Sequence, residues 1–182
     1  MKFNIGNIEV GGKRTFIIAE IGNNHNGNFD LAIKMIDQAI EIGVDCVKFQ
    51  MRNLSEVYRK KSLSKDGEDL GTEYILDLLE RFELSKEEHE RVAKYCSRQN
   101  ILYMCTPWDQ KSVDILESFD VKAYKVASAD LTNLPLIREI AKVAKKVILS
   151  TGMSNLDEIS ETIDILVSEG VSKKSISVLH CN

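Results

Sequence analysis

The sequence predicts an α/β fold of the TIM (β/α)8 barrel type, cut off after about six strands and preceded by a small β-hairpin. Three observations lead there. Six short apolar runs recur along the chain, at residues 15–20, 46–50, 102–106, 123–128, 147–151 and 177–182. Stretches of helical spacing separate them, which is the alternation of a parallel sheet whose faces are covered by helices. Each run also ends on polar side chains able to do chemistry, as strands do at the C-terminal mouth of such a barrel.

The elements follow in order. Residues 3–12 read as a hairpin, with two short runs around Gly6-Asn7 and an exit at Gly11-Gly12. The first strand leads into a polar loop from Gly22 to Gly27. A helix follows with Leu31, Met35, Ala39 and Ile42 on one stripe, and Gly43 is placed to end it. Residues 51–73, with Arg52, Arg59, Lys60, Lys61 and Lys65, read as a solvated loop. A helical stretch at 74–81 precedes a capping box, Ser85-Lys-Glu-Glu88, that opens the next helix. Helices at 109–119, 135–145 and 155–169 follow the next three strands. A doubly wound dinucleotide fold is disfavoured, because Gly22-Asn-Asn-His-Asn-Gly27 is not Gly-x-Gly-x-x-Gly. A full barrel takes roughly 250 residues, so six strands in 182 residues make about three quarters of one. No internal linker or second domain is visible.

Composition narrows the function classes. With 43% hydrophobic and 29% charged residues the chain reads as an ordinary globular domain. A net charge of -4 argues against nucleic acid, whose phosphates need a basic stripe. It leaves room for a small anion held by a local cluster of cations. No apolar run nears the roughly 18 residues of a membrane span, and the N-terminus lacks a signal-peptide core, so a cytoplasmic protein is expected. Cys46, Cys96, Cys105 and Cys181 form no Cys-x-x-Cys pair and read as buried reduced thiols. With His25, His89 and His180 they show no zinc-site spacing.

Lys48 and Lys125 are the leading candidates, because a lysine inside an apolar strand must meet an anion or a carboxylate. A salt bridge to Glu20 or Asp130 is the purely structural reading. With Thr106, Ser128 and Ser150 the two ammonium groups look like a phosphate cradle. An inward lysine could instead form a Schiff base. Glu20 ends the first strand and either neutralises a lysine or handles a substrate hydroxyl or proton. Gln50 shares the facing of Lys48 by the period of two, and Asp130 shares that of Ser128 if its strand continues. Asn23 and His25 crowd the first loop, where a single histidine is more often a structural group than a ligand. Trp108 reads as a packing residue, and Ser150-Thr151-Gly152 brings hydroxyls and backbone N–H groups together where an anion could approach.

These motifs, in order along the chain, resemble the sialic acid synthase family, which makes N-acetylneuraminate, legionaminate and pseudaminate. The matching pieces are Ile-Ala-Glu-Ile-Gly-Asn-Asn-His-Asn-Gly at 18–27, Val-Lys-Phe-Gln at 47–50 and Cys-Thr-Pro at 105–107. Tyr-Lys-Val-Ala-Ser at 124–128, Leu-Ser-Thr-Gly-Met at 149–153 and Leu-His-Cys at 179–181 complete the set. The resemblance implies a transferase that condenses phosphoenolpyruvate with an N-acetylated hexosamine such as N-acetylmannosamine. The products are a nine-carbon 2-keto sugar acid and phosphate. It implies that Lys48, Lys125, Thr106, Ser128 and Ser150 hold phosphoenolpyruvate, with Glu20 and Gln50 toward the reacting centre and the sugar. Asp130 stands where several family members carry Glu. The resemblance further implies a divalent metal, manganese or magnesium, in the full-length enzyme, bound by residues beyond Asn182. A C-terminal antifreeze-like domain and a domain-swapped homodimer belong to the same expectation. Residues 1–182 are then the N-terminal part of the synthase barrel and are expected to be inactive alone. Two alternatives stay open: a 3-deoxy-2-keto acid synthase acting on a sugar phosphate, and a non-catalytic fragment that binds phosphoenolpyruvate.

Overall fold

The computed structural model describes residues 2–57 and 72–181. Six parallel strands run in chain order as one curved sheet: β3 (Ile18–Gly22), β4 (Cys46–Met51), β5 (Leu102–Pro107), β6 (Tyr124–Val126), β7 (Val147–Ser150) and β8 (Ile176–Leu179). Ahead of them β1 (Phe3–Ile5) and β2 (Ile8–Val10) form the antiparallel hairpin expected around Gly6-Asn7. Helices α1 (Phe29–Glu41), α2 (Leu54–Val57), α3 (Thr72–Phe82), α4 (Lys86–Arg98), α5 (Gln110–Glu117), α6 (Leu134–Val143) and α7 (Leu156–Ser168) fill the connections. The result is an open α/β barrel segment with an N-terminal hairpin, as predicted. Among the described residues no helix is long and apolar enough to cross a membrane.

Local sequence explains where the helices start. Asn28, Ser85, Asp109, Asn133 and Asn155 each cap a helix by accepting a backbone N–H one turn in. At Ser85 and Asn155 the cap is reciprocal, with Glu88 and Glu158 reaching back to the cap's own N–H. The first helix ends at Ile42 with Gly43 at φ +78°, as expected, but its buried stripe is Ala32, Ile36 and Ala39. Ile42 lies in solvent, because the stripe drifts by one position and the cap residue has already turned off the sheet.

Strand periodicity sorts side chains into two cores. The outward face of the sheet, including Val47, Phe49, Tyr103, Cys105, Val126 and Leu149, packs against the helices. The inward face begins with a smaller layer, Cys46, Met104, Ala123 and Ile148, onto which the hairpin presses Ile5 with Phe3 and Val10 beside it. The hairpin therefore floors the barrel at the N-terminal ends of the strands. Asp45 helps hold this end, accepting from the Ile17 N–H at 2.8 Å and pairing with Arg14 at 2.5 Å. One step further along the strands, inward positions turn polar.

Three expectations need correction. The fourth strand of the sheet, β6, stops at Val126, and Ser128–Asp130 is a 3-10 turn, so Ser128 and Asp130 do not share a strand facing. The last strand, β8, ends at Leu179, leaving His180 exposed beyond it. Of the solvated loop expected over 51–73, the described part up to Val57 holds instead a short helix, α2, and a buried Arg52 side chain. Residues 58–71, with Arg59, Lys60, Lys61 and Lys65, lie outside the described residues.

Phe49 is fully buried and sits between the rings of His25, Tyr103 and His89, at centroid separations of 5.8, 5.7 and 6.2 Å. Phe49→Ala is expected to cost about 3–5 kcal/mol, read as a lowered midpoint of chemical denaturation. A loss below about 1 kcal/mol would mean this ring is not a central packing element.

Candidate functional site

Register brings the polar groups to one place. Glu20 pairs with Lys48 across β3 and β4, and Gln50 pairs with Thr106 across β4 and β5. These side chains share the inward parity, so they rise in successive layers above the apolar floor. Lys48 Nζ lies 2.7 Å from Glu20 Oε2 and donates to Thr106 Oγ1 at 3.1 Å. On the far side of β5, Lys125 Nζ donates to Ser150 Oγ at 2.6 Å and to the Val126 carbonyl at 2.7 Å. The two lysines are thus on alternate strands, with Thr106 on the strand between them.

The electrostatics of the two differ. Lys48 is 8% exposed in its side chain and has a carboxylate, although Glu20 is 52% exposed and therefore screened by water. Among the described residues Lys125 makes no ion pair, and its partners are a hydroxyl and a carbonyl. Burial, followed by the positive charge of Lys48, pulls its ammonium down to about 8. A buried cation with only neutral partners and a second cation nearby is a standing demand for an anion. Ser150 and Thr106 supply hydroxyls that can turn their protons toward such an anion.

The first loop is built around its glycines. The sheet register slips between Glu20 and Gly22, and Gly22 adopts φ +52°. A Cβ there would lie 3.1 Å from Glu20 Oε1 and 3.2 Å from Gln50 Nε2, so glycine keeps these groups free of crowding. Gly27, at φ +72°, would drive a Cβ to 2.1 Å from the Arg81 carbonyl oxygen. That close approach locks the loop against the end of α3.

Not every candidate reaches the cluster. His25 is 1% exposed, stacks on Phe49 on the outward face of the sheet, and accepts the Gly27 N–H at Nδ1. It is a structural residue of the loop, and burial lowers its pKa. The Asn23 amide sits beside Glu83. Asp130 accepts from Asn133 Nδ2 at 3.1 Å, and burial raises its carboxyl pKa. Its other oxygen is buried without a partner among the described residues. Ser128 opens the same turn, directly after the strand carrying Lys125.

Two groups escaped sequence reasoning. Arg52 follows the last residue of β4, so strand parity no longer marks it and its local sequence carries no signal for it. Its side chain is 8% exposed, lies over the Trp108 ring at 4.9 Å, and meets Glu83 Oε1 at 2.7 Å. Burial raises the Glu83 carboxyl to about 7 despite that cation. Cys181 is not a buried thiol like Cys46, Cys96 and Cys105. It accepts the Thr151 N–H at 3.3 Å, and that bond with the Ser150 hydroxyl lowers its pKa.

A divalent metal needs several anionic or imidazole donors on one centre. Among the described residues no group of three or more His, Cys, Asp or Glu could hold one, and Glu20 is already turned onto Lys48. The described residues therefore do not fit a metal site by themselves.

Comparison with known proteins places this geometry. The pattern defining the NeuB family matches residues 35–182. The chain belongs to the NeuB family. It is 40% identical over 172 residues to the N,N'-diacetyllegionaminic acid synthase of Campylobacter jejuni, covering 93% of this chain and 52% of that protein. It is 32% identical over 161 residues to the N-acetylneuraminate-9-phosphate synthase of Mus musculus, covering 86% of this chain and 45% of that one. The crystal structure of the N-acetylneuraminic acid synthetase of Leptospira borgpetersenii, solved with citrate, superposes with a TM-score of 0.84 at 31% identity. That match covers 100% of this chain and 59% of the other. The chain spans about half the length of the curated relatives it matches.

Beneath the site, burial and then the nearby His25 charge hold His89 down to about 3, so the folded state keeps it neutral. The ordinary imidazole value is 6.5, so unfolded chains take up a proton that the folded chain refuses. This contribution to stability is present above 6.5 and is lost progressively as pH falls toward 3. The denaturation midpoint should therefore drop between about pH 7 and about pH 4, and drop less in His89→Gln. Equal losses in both proteins would remove His89 from the acid response.

Proposed function

We propose that this chain forms the phosphoenolpyruvate-binding part of a synthase that builds a nine-carbon 2-keto sugar acid. The observation that carries the reading is the buried Lys125 ammonium, lacking an ion-pair partner among the described residues and set across Thr106 from Lys48. Phosphoenolpyruvate carries a phosphate and a carboxylate, and two cations with two hydroxyls match that charge and acceptor count. Family membership supports the same choice, because the relatives are named as sugar acid synthases. The citrate complex of the Leptospira relative shows that one member takes up a polycarboxylate.

In the proposed reaction C3 of phosphoenolpyruvate forms a bond to the aldehyde carbon of an open-chain N-acetylated hexosamine. Water adds at C2, the C–O bond to phosphorus breaks on the carbon side, and inorganic phosphate leaves. Lys48 and Lys125 hold the anion and offset its charge throughout, while Thr106, Ser128 and Ser150 orient its oxygens. Glu20 is the most exposed of these side chains and is placed to meet a sugar hydroxyl or a proton. Asp130 is assigned a supporting role from its raised pKa and its free oxygen. The sugar is an N-acetylated hexosamine or a relative of it, since the similar proteins are named for different sugar acids. A divalent metal, an antifreeze-like domain and a domain-swapped dimer are proposed for the full-length protein. Residues 1–182 alone are proposed to bind phosphoenolpyruvate without turnover.

Calorimetry of the chain with phosphoenolpyruvate tests the cradle. Lys48→Ala and Lys125→Ala should each weaken binding by about 10- to 100-fold, the worth of a hydrogen bond to a charged group. Unchanged affinity in both variants would reject the assignment. Phosphate release from phosphoenolpyruvate, N-acetylmannosamine and manganese should be absent, and robust release would overturn the proposed inactivity. The depressed Lys125 pKa favours one rival, an amine nucleophile forming a Schiff base. Borohydride with pyruvate would then trap an adduct on Lys125, and none is expected.

A further inference from the structure

Gln50 stands at the mouth of the cleft with an ambiguous end, since a side-chain amide offers a donor on one side and an acceptor on the other. Its neighbour removes the ambiguity. Arg52 Nη2 donates to Gln50 Oε1 at 2.6 Å, and a guanidinium has no acceptor to offer in return. Turning the amide over would set N–H against N–H in a partly buried place. The oxygen must therefore face Arg52, which leaves Nε2 over Gly22 on the side of the Glu20 carboxylate. Arg52 is itself held on two further sides, by Glu83 Oε1 at 2.7 Å and by the Trp108 ring at 4.9 Å. The Nε contact to Glu83 is a meeting of charges without hydrogen-bond alignment, so Nη2 stays aimed at Gln50. Helix α3 supplies its end to Gly27, and Glu83 follows that helix directly, so the pair also ties the first loop to the cleft.

We propose that Arg52, seated on Glu83 and Trp108, is a positioning residue that fixes the Gln50 amide with its N–H₂ group toward the cleft. The site then meets an acceptor oxygen of its ligand with a donor at that point. Because Gln50 is in register with Thr106, which Lys48 engages, that oxygen belongs to the same anion the lysines hold. This rests on the reading of the cleft as a phosphoenolpyruvate site. A planar fork is required here, so lysine is a poor replacement.

The test combines two measurements on the chain. The side-chain amide proton pair of Gln50, followed by NMR without ligand, should be displaced from free-glutamine positions and should return toward them in Arg52→Met. Phosphoenolpyruvate affinity by calorimetry should fall about tenfold in Arg52→Met, with partial recovery in Arg52→Lys. Gln50→Leu should cost as much, and adding Arg52→Met to it should cost little more, since both changes remove one contact. An unchanged amide pair in Arg52→Met overturns the proposal whatever happens with ligand, and so do additive losses. If Lys48→Ala abolishes binding while Arg52→Met binds as the parent does, the positioning role falls and the cradle stands. If the parent does not bind phosphoenolpyruvate, the cradle falls and the amide signals alone judge Arg52. Should Arg52→Met fail to fold because Glu83 is left unpaired, Arg52→Met with Glu83→Leu removes both charges and restores the comparison.

Discussion

The site depends on one costly placement, two ammonium groups on inward strand positions of a small barrel. Taking a cation out of water is unfavourable by several kcal/mol unless other groups replace the lost hydration. Lys48 gets that replacement from Glu20 and Thr106, whereas among the described residues Lys125 gets a hydroxyl and a carbonyl. Much of the local architecture serves to hold these groups in place. The hairpin closes the floor beneath them, the strand register stacks them, and Gly22 keeps the carboxylate and the amide above them uncrowded. A buried cation held by so few partners leaves room for an anion beside it.

Much of this was legible in the sequence because buried parallel strands carry a strong signature. A run such as Cys46-Val-Lys-Phe-Gln50 is apolar on both faces except at positions aimed into the barrel, so Lys48 and Gln50 stood out. Thr106, Lys125 and Ser150 were visible for the same reason. The failures have a common physical origin in backbone direction. Periodicity carries no information once a strand ends, so the turn at Ser128–Asp130 broke the parity assumed for Asp130. His25 reads as a loop histidine near a cleft, yet the left-handed turn at Asn26 and Gly27 folds its ring under the sheet onto Phe49.

Arg52 shows a different limit. An arginine among other basic residues and serines reads as solvent-facing, and only a distant carboxylate, Glu83, makes its burial affordable in energy terms. That partner lies beyond a long stretch of intervening chain and has no local motif. The same holds for the stacked rings of His25, Phe49, His89 and Tyr103, which draw on the first loop, two strands and a helix. Residues that act through tertiary neighbours are the ones a one-dimensional reading misses, and here they brace the groups it finds.

The sheet has margins at β3 and β8. Both contribute to a single groove, where Ile18 from one and Ser177 and Leu179 from the other face a common space of about 370 Å³. Val178 is also well exposed on that flank. Backbone donors and acceptors along such borders readily template additional strands.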